Sequence, residues 1–288
     1  MNSHRISQSL IAAALLAALG VAGMPSPVAL AASQPVLTWT KQSPAASPSA
    51  RAYASIAYDA ATGNVVLFGG FKGAGVGDTW VWDGSTWTQQ HPATSPSARW
   101  GAAMAYDAAT GNVVLFGGLA GRHPRELHDT WVWDGSTWAK QSPATSPPAR
   151  TNAAMTYDVA NSTVVLFGGN NAKNTPVRGT WVWDGSTWAK QSPATSPSAR
   201  LTPAMTYDGA TGNVVLFGGF SLKHARVLGD TWVWDGSTWT RQHPATRPPP
   251  RAEEAMTYDA ATGNVVMFSG YAVHYLPTGT WVWGASGG

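Results

Sequence analysis

The chain has 288 residues, no cysteine, 16 tryptophans, 31 glycines, 20 prolines and a formal charge of +3. Without cysteine it has no disulfide framework, no thiolate metal site and no thiol to carry a lipid. Charged residues make up only 11%, yet the 44% hydrophobic content is ordinary for a globular domain and argues against disorder.

The first element is a leader. His4 and Arg5 precede the apolar run Leu10–Met24, and Pro25, Pro27 and the small residues "ALA" at 29–31 follow. A basic end, a short apolar stretch and a small-x-small site predict a secretory signal peptide over residues 1–31, cleaved near Ala31. The apolar run is shorter than the roughly 20 residues of a spanning helix, so no membrane span is expected. Residues 32–288 are then one secreted domain, extracellular or periplasmic. The "LPTG" at 276–279 lacks the residue and the apolar tail of a sorting signal and is read as a loop.

From residue 36 onward the chain repeats itself with a period of about 50 residues. Arg51, Arg99, Arg150, Arg200 and Arg251 stand seven residues before Tyr58, Tyr106, Tyr157, Tyr207 and Tyr258. Each repeat predicts four short strands. The first runs from the arginine to the tyrosine. The second is an unbroken apolar run such as "NVVLFGG", consistent with burial on both faces. The third is "TWVW" and the fourth "STWAKQ" or a close variant. The Asp-, Gly- and Asn-bearing stretches "DAATGN" and "DGS" supply tight turns between them. "DGSTW" is similar to the Asp-box of sialidase propellers but one residue short, which makes it a shared turn and not a shared activity.

The tryptophans count the blades. Four repeats carry three each, the fifth carries Trp281 and Trp283, and its third is matched at the other end of the chain by Trp39 in "VLTWTKQ". The expected fold is therefore all-β, a propeller of five four-stranded blades in which the N-terminal strand completes the last blade. Such a ring has no exposed sheet edges. A monomer is expected, with an open array that closes through a second copy as the alternative. The tryptophan ladder itself is read as core between blades.

The double glycine after an apolar strand, the variable loop, the Trp-bearing strand and the period together resemble kelch repeats over residues 36–288, a group that includes the central propeller of galactose oxidase. The fifth copy departs, with Ser269-Gly270 for Gly-Gly and Gly284 for Asp, and kelch propellers usually have six or seven blades. The resemblance implies a binding or interaction module. It also implies that an arginine at this place in the blade contacts carboxylates, which transfers to Arg51, Arg99, Arg150, Arg200 and Arg251. The bland alternative is that each arginine pins its own scaffold.

Charge sorts by segment. The turns after the first and third strands hold nine aspartates and no lysine or arginine, whereas the loops after the second strands and the links between repeats hold the basic residues, among them Lys72, Arg122, Arg125, Lys173, Arg178, Lys223 and Arg226. A basic face attracts anions, so the expected ligand is an acidic glycan or an acidic protein segment. Beside the arginines stand residues that differ between repeats: Tyr53, Trp100, Asn152, Thr202 and Glu253. Tyr53, Trp100, Asn152 and Glu253 join the arginines as candidate ligand-binding residues, with Trp100 read as either a stacking aromatic or simple packing. The second reading is a kelch-type sugar epimerase using Glu253, Glu254 or a histidine as acid and base. Copper-radical oxidase chemistry needs a cysteine this chain lacks. The histidines show no metal-ligand spacing, no cofactor signature is present, and export argues against nucleic acid.

Overall fold

The computed structural model describes residues 41–171, 173, 175–272 and 279–284. Its strands are all antiparallel and fall into five blades. The third blade shows the pattern: Ala154–Asp158, Thr163–Phe167, Thr180–Trp183 and Trp188–Lys190 pair in sequence order, with Tyr157 opposite Val164, Val165 opposite Val182 and Trp183 opposite Trp188. Four blades have four strands. The fifth has three described strands, Ala255–Asp259, Asn264–Phe268 and Thr280–Trp283. First strands of consecutive blades lie side by side, so the chain is an all-β propeller. The strand expected to complete the fifth blade, with Trp39, lies outside the described residues, as do the leader and positions 276–278 of "LPTG". On the end blades, Ile56 and Tyr58 of the first and Phe268 and Val282 of the fifth are exposed.

The core is built between blades. The apolar second strands, Val113–Phe116, Val164–Phe167 and Val214–Phe217, are almost wholly buried because both faces meet a neighbour. At three blade boundaries a phenylalanine ending the second strand meets, edge to face, the tryptophan opening the next blade's fourth strand: Phe68 with Trp138, Phe116 with Trp188, Phe167 with Trp239. Tryptophans 133, 138, 183, 188, 234 and 239 are at most 1% exposed. Two of the three ladder tryptophans in each inner blade are core, and the first of each, Trp131, Trp181 and Trp232, is half-buried.

The first strands are shorter than expected. They begin four residues after the arginine, as in Ser55–Asp59, because the second residue after each arginine is left-handed. Tyr53, Asn152, Thr202 and Glu253 have φ between +44° and +60°, and Gly101 takes the same place in the second blade at +63°. Left-handed backbone in a non-glycine residue costs of order 1–3 kcal/mol. What offsets it is a ladder of backbone bonds between blades. Gly101 N–H donates to Tyr53 O, Asn152 to Gly101, Thr202 to Asn152 and Glu253 to Thr202, at 2.8–3.3 Å.

Candidate functional site

The five arginines are placed inside their blades. Arg99, Arg150, Arg200 and Arg251 are at most 2% exposed, and the Arg51 side chain is 5% exposed. Each reaches the carbonyl of the residue just after its own second strand: Arg99 Nη1 donates to Gly117 O at 3.0 Å, Arg150 to Gly168 O at 3.1 Å, Arg200 to Gly218 O at 2.9 Å. In three blades an aspartate at the start of the third strand accepts the guanidinium fork. Arg99 holds Asp129 at 2.6 and 2.9 Å, Arg200 holds Asp230 at 2.8 and 2.9 Å, and Arg51 holds Asp78 likewise. The indole two residues on completes the set, with Trp131 Nε1 donating to Asp129 at 2.8 Å and Trp232 to Asp230 at 2.7 Å. Burial pushes these carboxyls up, but the arginine and the indole outweigh it and hold them below the usual range. This is the geometry of the scaffold alternative: a bidentate pair that fixes the loop between the second and third strands.

The variable neighbours follow suit. Trp100 packs on Phe71 of the preceding blade, centroids 5.1 Å apart, and bridges to Leu119 through its backbone. Tyr53, Asn152 and Glu253 belong to the left-handed ladder. Their variety reflects a position where the backbone, not the side chain, makes the contact. Glu254 is buried, and burial outweighs the opposing pull of the Glu254 and Ala204 backbone N–H groups and of Arg251 and Arg200, pushing its pKa up to about 8. It lines none of the hollows described below.

The basic side chains left facing solvent gather elsewhere. A hollow of about 580 Å³ is lined by Arg178, His224, Arg226, Arg241 and Arg247, over a floor that includes Asp230 and Trp232. All five basic side chains are exposed. Its one acid, Asp230, is already engaged by Arg200. Arg178 and Arg226 come from the loops after the second strands of the third and fourth blades. Arg226 is carried on a two-residue ribbon, Phe220–Ser221 with Arg226–Val227, whose tip is a short 3-10 turn at Leu222–His224. Arg241 lies on the fourth strand Trp239–Gln242, opposite Trp232. Arg247 comes from the link to the fifth blade. A second hollow of about 580 Å³ adjoins, sharing Ser198 and His224 and adding Lys223. The groove thus draws on the loops and links expected to be basic, two of its residues having been singled out as such.

Arg241 and Arg247 were not. A signal existed for Arg247: the place four residues before the arginine is Ser47, Ser95, Ser146 and Ser196 in the other links, and arginine here alone. Among the described residues no group of three or more His, Asp or Glu gathers as for a metal, and no helix is long and apolar enough to cross a membrane.

The family model for the KLHDC2/KLHL20/DRC7 Kelch-repeats domain matches residues 135–284, which span the groove, the third and fourth blades and the described strands of the fifth. The chain belongs to this kelch-repeat family. No curated protein matches it closely enough to count as a relative. Kelch propellers mediate protein interactions, and this kelch propeller is an interaction module. The double glycine that marks its repeats has a structural reason. Gly117 is left-handed at φ +68°, and a Cβ there would stand 2.4 Å from Arg150 O, so the close approach of one blade's turn to the next admits only glycine.

Proposed function

We propose that the chain is a secreted interaction module that takes an acidic segment of a partner protein into the groove lined by Arg178, Arg226, Arg241 and Arg247. The observation that carries this reading is the groove's charge: four exposed arginines and one histidine face a single acid that Arg200 already neutralises. Arginine forks pair two-pronged with carboxylates, and a concave basic surface raises the local concentration of anions. The groove is open and lined from two blades, which leaves room for an extended segment. The leader-like residues 1–31 support action outside the cytoplasm.

Fluorescence anisotropy of an Asp/Glu-rich peptide, beside its Asn/Gln counterpart, tests the reading. The acidic peptide binds the full chain and weakens as salt is added, while the neutral one does not bind. Equal binding of both peptides overturns the charge argument. Binding of a sulfated oligosaccharide with neither peptide bound transfers the groove to a glycan ligand.

A further inference from the structure

We propose that the third blade holds a carboxylate supplied from outside the chain, in the place where the first, second and fourth blades carry their own aspartate. Three blades share one constellation, arginine, aspartate and indole: Arg51, Asp78 and Trp80; Arg99, Asp129 and Trp131; Arg200, Asp230 and Trp232. In the third blade the arginine and indole are kept as Arg150 and Trp181, but Gly179 stands in the aspartate's position. A second partner is lost with it. Ser49, Ser97 and Ser198 accept a hydrogen bond from the arginine Nη2 in the first, second and fourth blades, whereas the corresponding residue here is Pro148.

The result is a buried cation that uses two of its five N–H donors among the described residues. Arg150 is 2% exposed. Its Nε donates to Pro148 O and its Nη1 to Gly168 O, both at 3.1 Å, and among the described residues Nη2 has no acceptor. Trp181 Nε1 likewise has none, although its three counterparts all donate to a carboxylate. A buried charge without a counter-ion is costly, and burial alone lowers the Arg150 pKa to about 10. Space is available as well. A Cβ built on Gly179 would touch only Trp181 Nε1, at 3.8 Å. Solvent reaches the spot, since the sister aspartates keep 15–22% of their side chains exposed.

A carboxylate entering there has its partners laid out by the sister blades. One oxygen takes Arg150 Nη1, the other takes Nη2 and the indole N–H. Arg178, exposed in the adjacent loop and part of the basic groove, adds positive potential at the entrance. The ligand is a carboxylate, and the source we assign is an acidic side chain of the bound segment. That assignment of source rests on the proposed function; the carboxylate site itself does not.

Thermal unfolding of the full chain in sodium acetate, against sodium chloride at equal ionic strength and pH 7, is the test. Wild type gains melting temperature with acetate in a saturable manner. Gly179→Asp supplies the missing carboxylate internally, so it melts higher in chloride and loses the acetate response. Gly179 has φ +127°, so this variant must also shift its backbone. Trp181→Phe therefore carries the same arm independently, weakening the acetate response by about tenfold or more through loss of one charge-assisted donor. No acetate response in wild type, or the same response in wild type and both variants, overturns the proposal.

Two peptides then separate the sources. One has internal aspartates and an amidated end; the other has no acidic side chain and a free terminal carboxylate. Acetate displacement by the first supports the side-chain assignment, and displacement by the second alone overturns it. Because Gly179→Asp leaves Arg226, Arg241 and Arg247 in place, loss of acetate binding with retained groove binding distinguishes the two sites.

Discussion

The indole N–H of Trp138, in the second blade, donates to Thr79 Oγ1 of the first at 2.9 Å. The same bond recurs from Trp188 to Thr130 at 2.9 Å and from Trp239 to Thr180 at 2.7 Å, each between fully buried atoms at a blade boundary. A repeat that cannot bury its apolar face alone is thereby fixed to the next in one register. Thr130→Val keeps the shape and leaves the Trp188 N–H without its acceptor. The expected loss is about 1–3 kcal/mol of unfolding free energy, read by chemical denaturation. An unchanged midpoint and slope would remove this bond from the account.

The arginine–aspartate pairs predict a second loss, with a pH signature. Asp129→Asn leaves Arg99 buried without a counter-charge and should cost about 3–5 kcal/mol. The native carboxyl is held below its ordinary value of 3.8. Its contribution is therefore full above that value and is lost as pH falls through the lower folded-state value. Acid titration of the wild type and the variant should thus converge in strong acid and diverge toward neutrality. A constant gap between the two curves would contradict the pairing.

Glu254 predicts the opposite slope. Burial pushes its pKa up to about 8, from an ordinary 4.5, so the folded state prefers the neutral acid. That preference stabilises fully below 4.5 and is lost progressively as pH rises toward 8. Glu254→Gln, which cannot ionise, should match wild type near pH 4 and melt higher at pH 8. If the two proteins differ most in acid, the carboxyl is charged in the fold and this reading is wrong.

The sequence was most legible where one physical demand recurs. An unbroken apolar strand such as Val113–Phe116 signals burial on both faces, and the Trp positions signal the interfaces that fill the gaps between sheets. What could not be read was which charges were already spoken for. Arg99 and Asp129 lie thirty residues apart and meet only after the intervening loop has folded over, so their pairing carries no local pattern. At Tyr53, Asn152 and Glu253 the side chain varies while the left-handed backbone is kept, and side-chain chemistry does not announce that backbone. Arg241 lies on a fourth strand and Arg247 in a link, and only the fold brings them beside Arg178 and Arg226.

The same separation gives a prediction for salt. Binding through exposed arginines is screened, whereas the buried pairs are screened far less. Raising salt from low to physiological strength and beyond should weaken acidic-peptide binding several-fold and leave the melting temperature nearly unchanged. Parallel loss of both would place the binding charges among those that hold the blades.

The central claim is that the arginines paired with an aspartate of their own blade build the scaffold, whereas the exposed arginines of the groove bind. The most direct test measures acidic-peptide affinity for Arg226→Ala, Arg241→Ala, Arg247→Ala in one chain, with its melting temperature recorded alongside. The account predicts a melting temperature close to wild type and affinity lower by at least about tenfold, since charge-assisted contacts are removed and no buried group is exposed. Wild-type affinity in this variant, at an unchanged melting temperature, would contradict it.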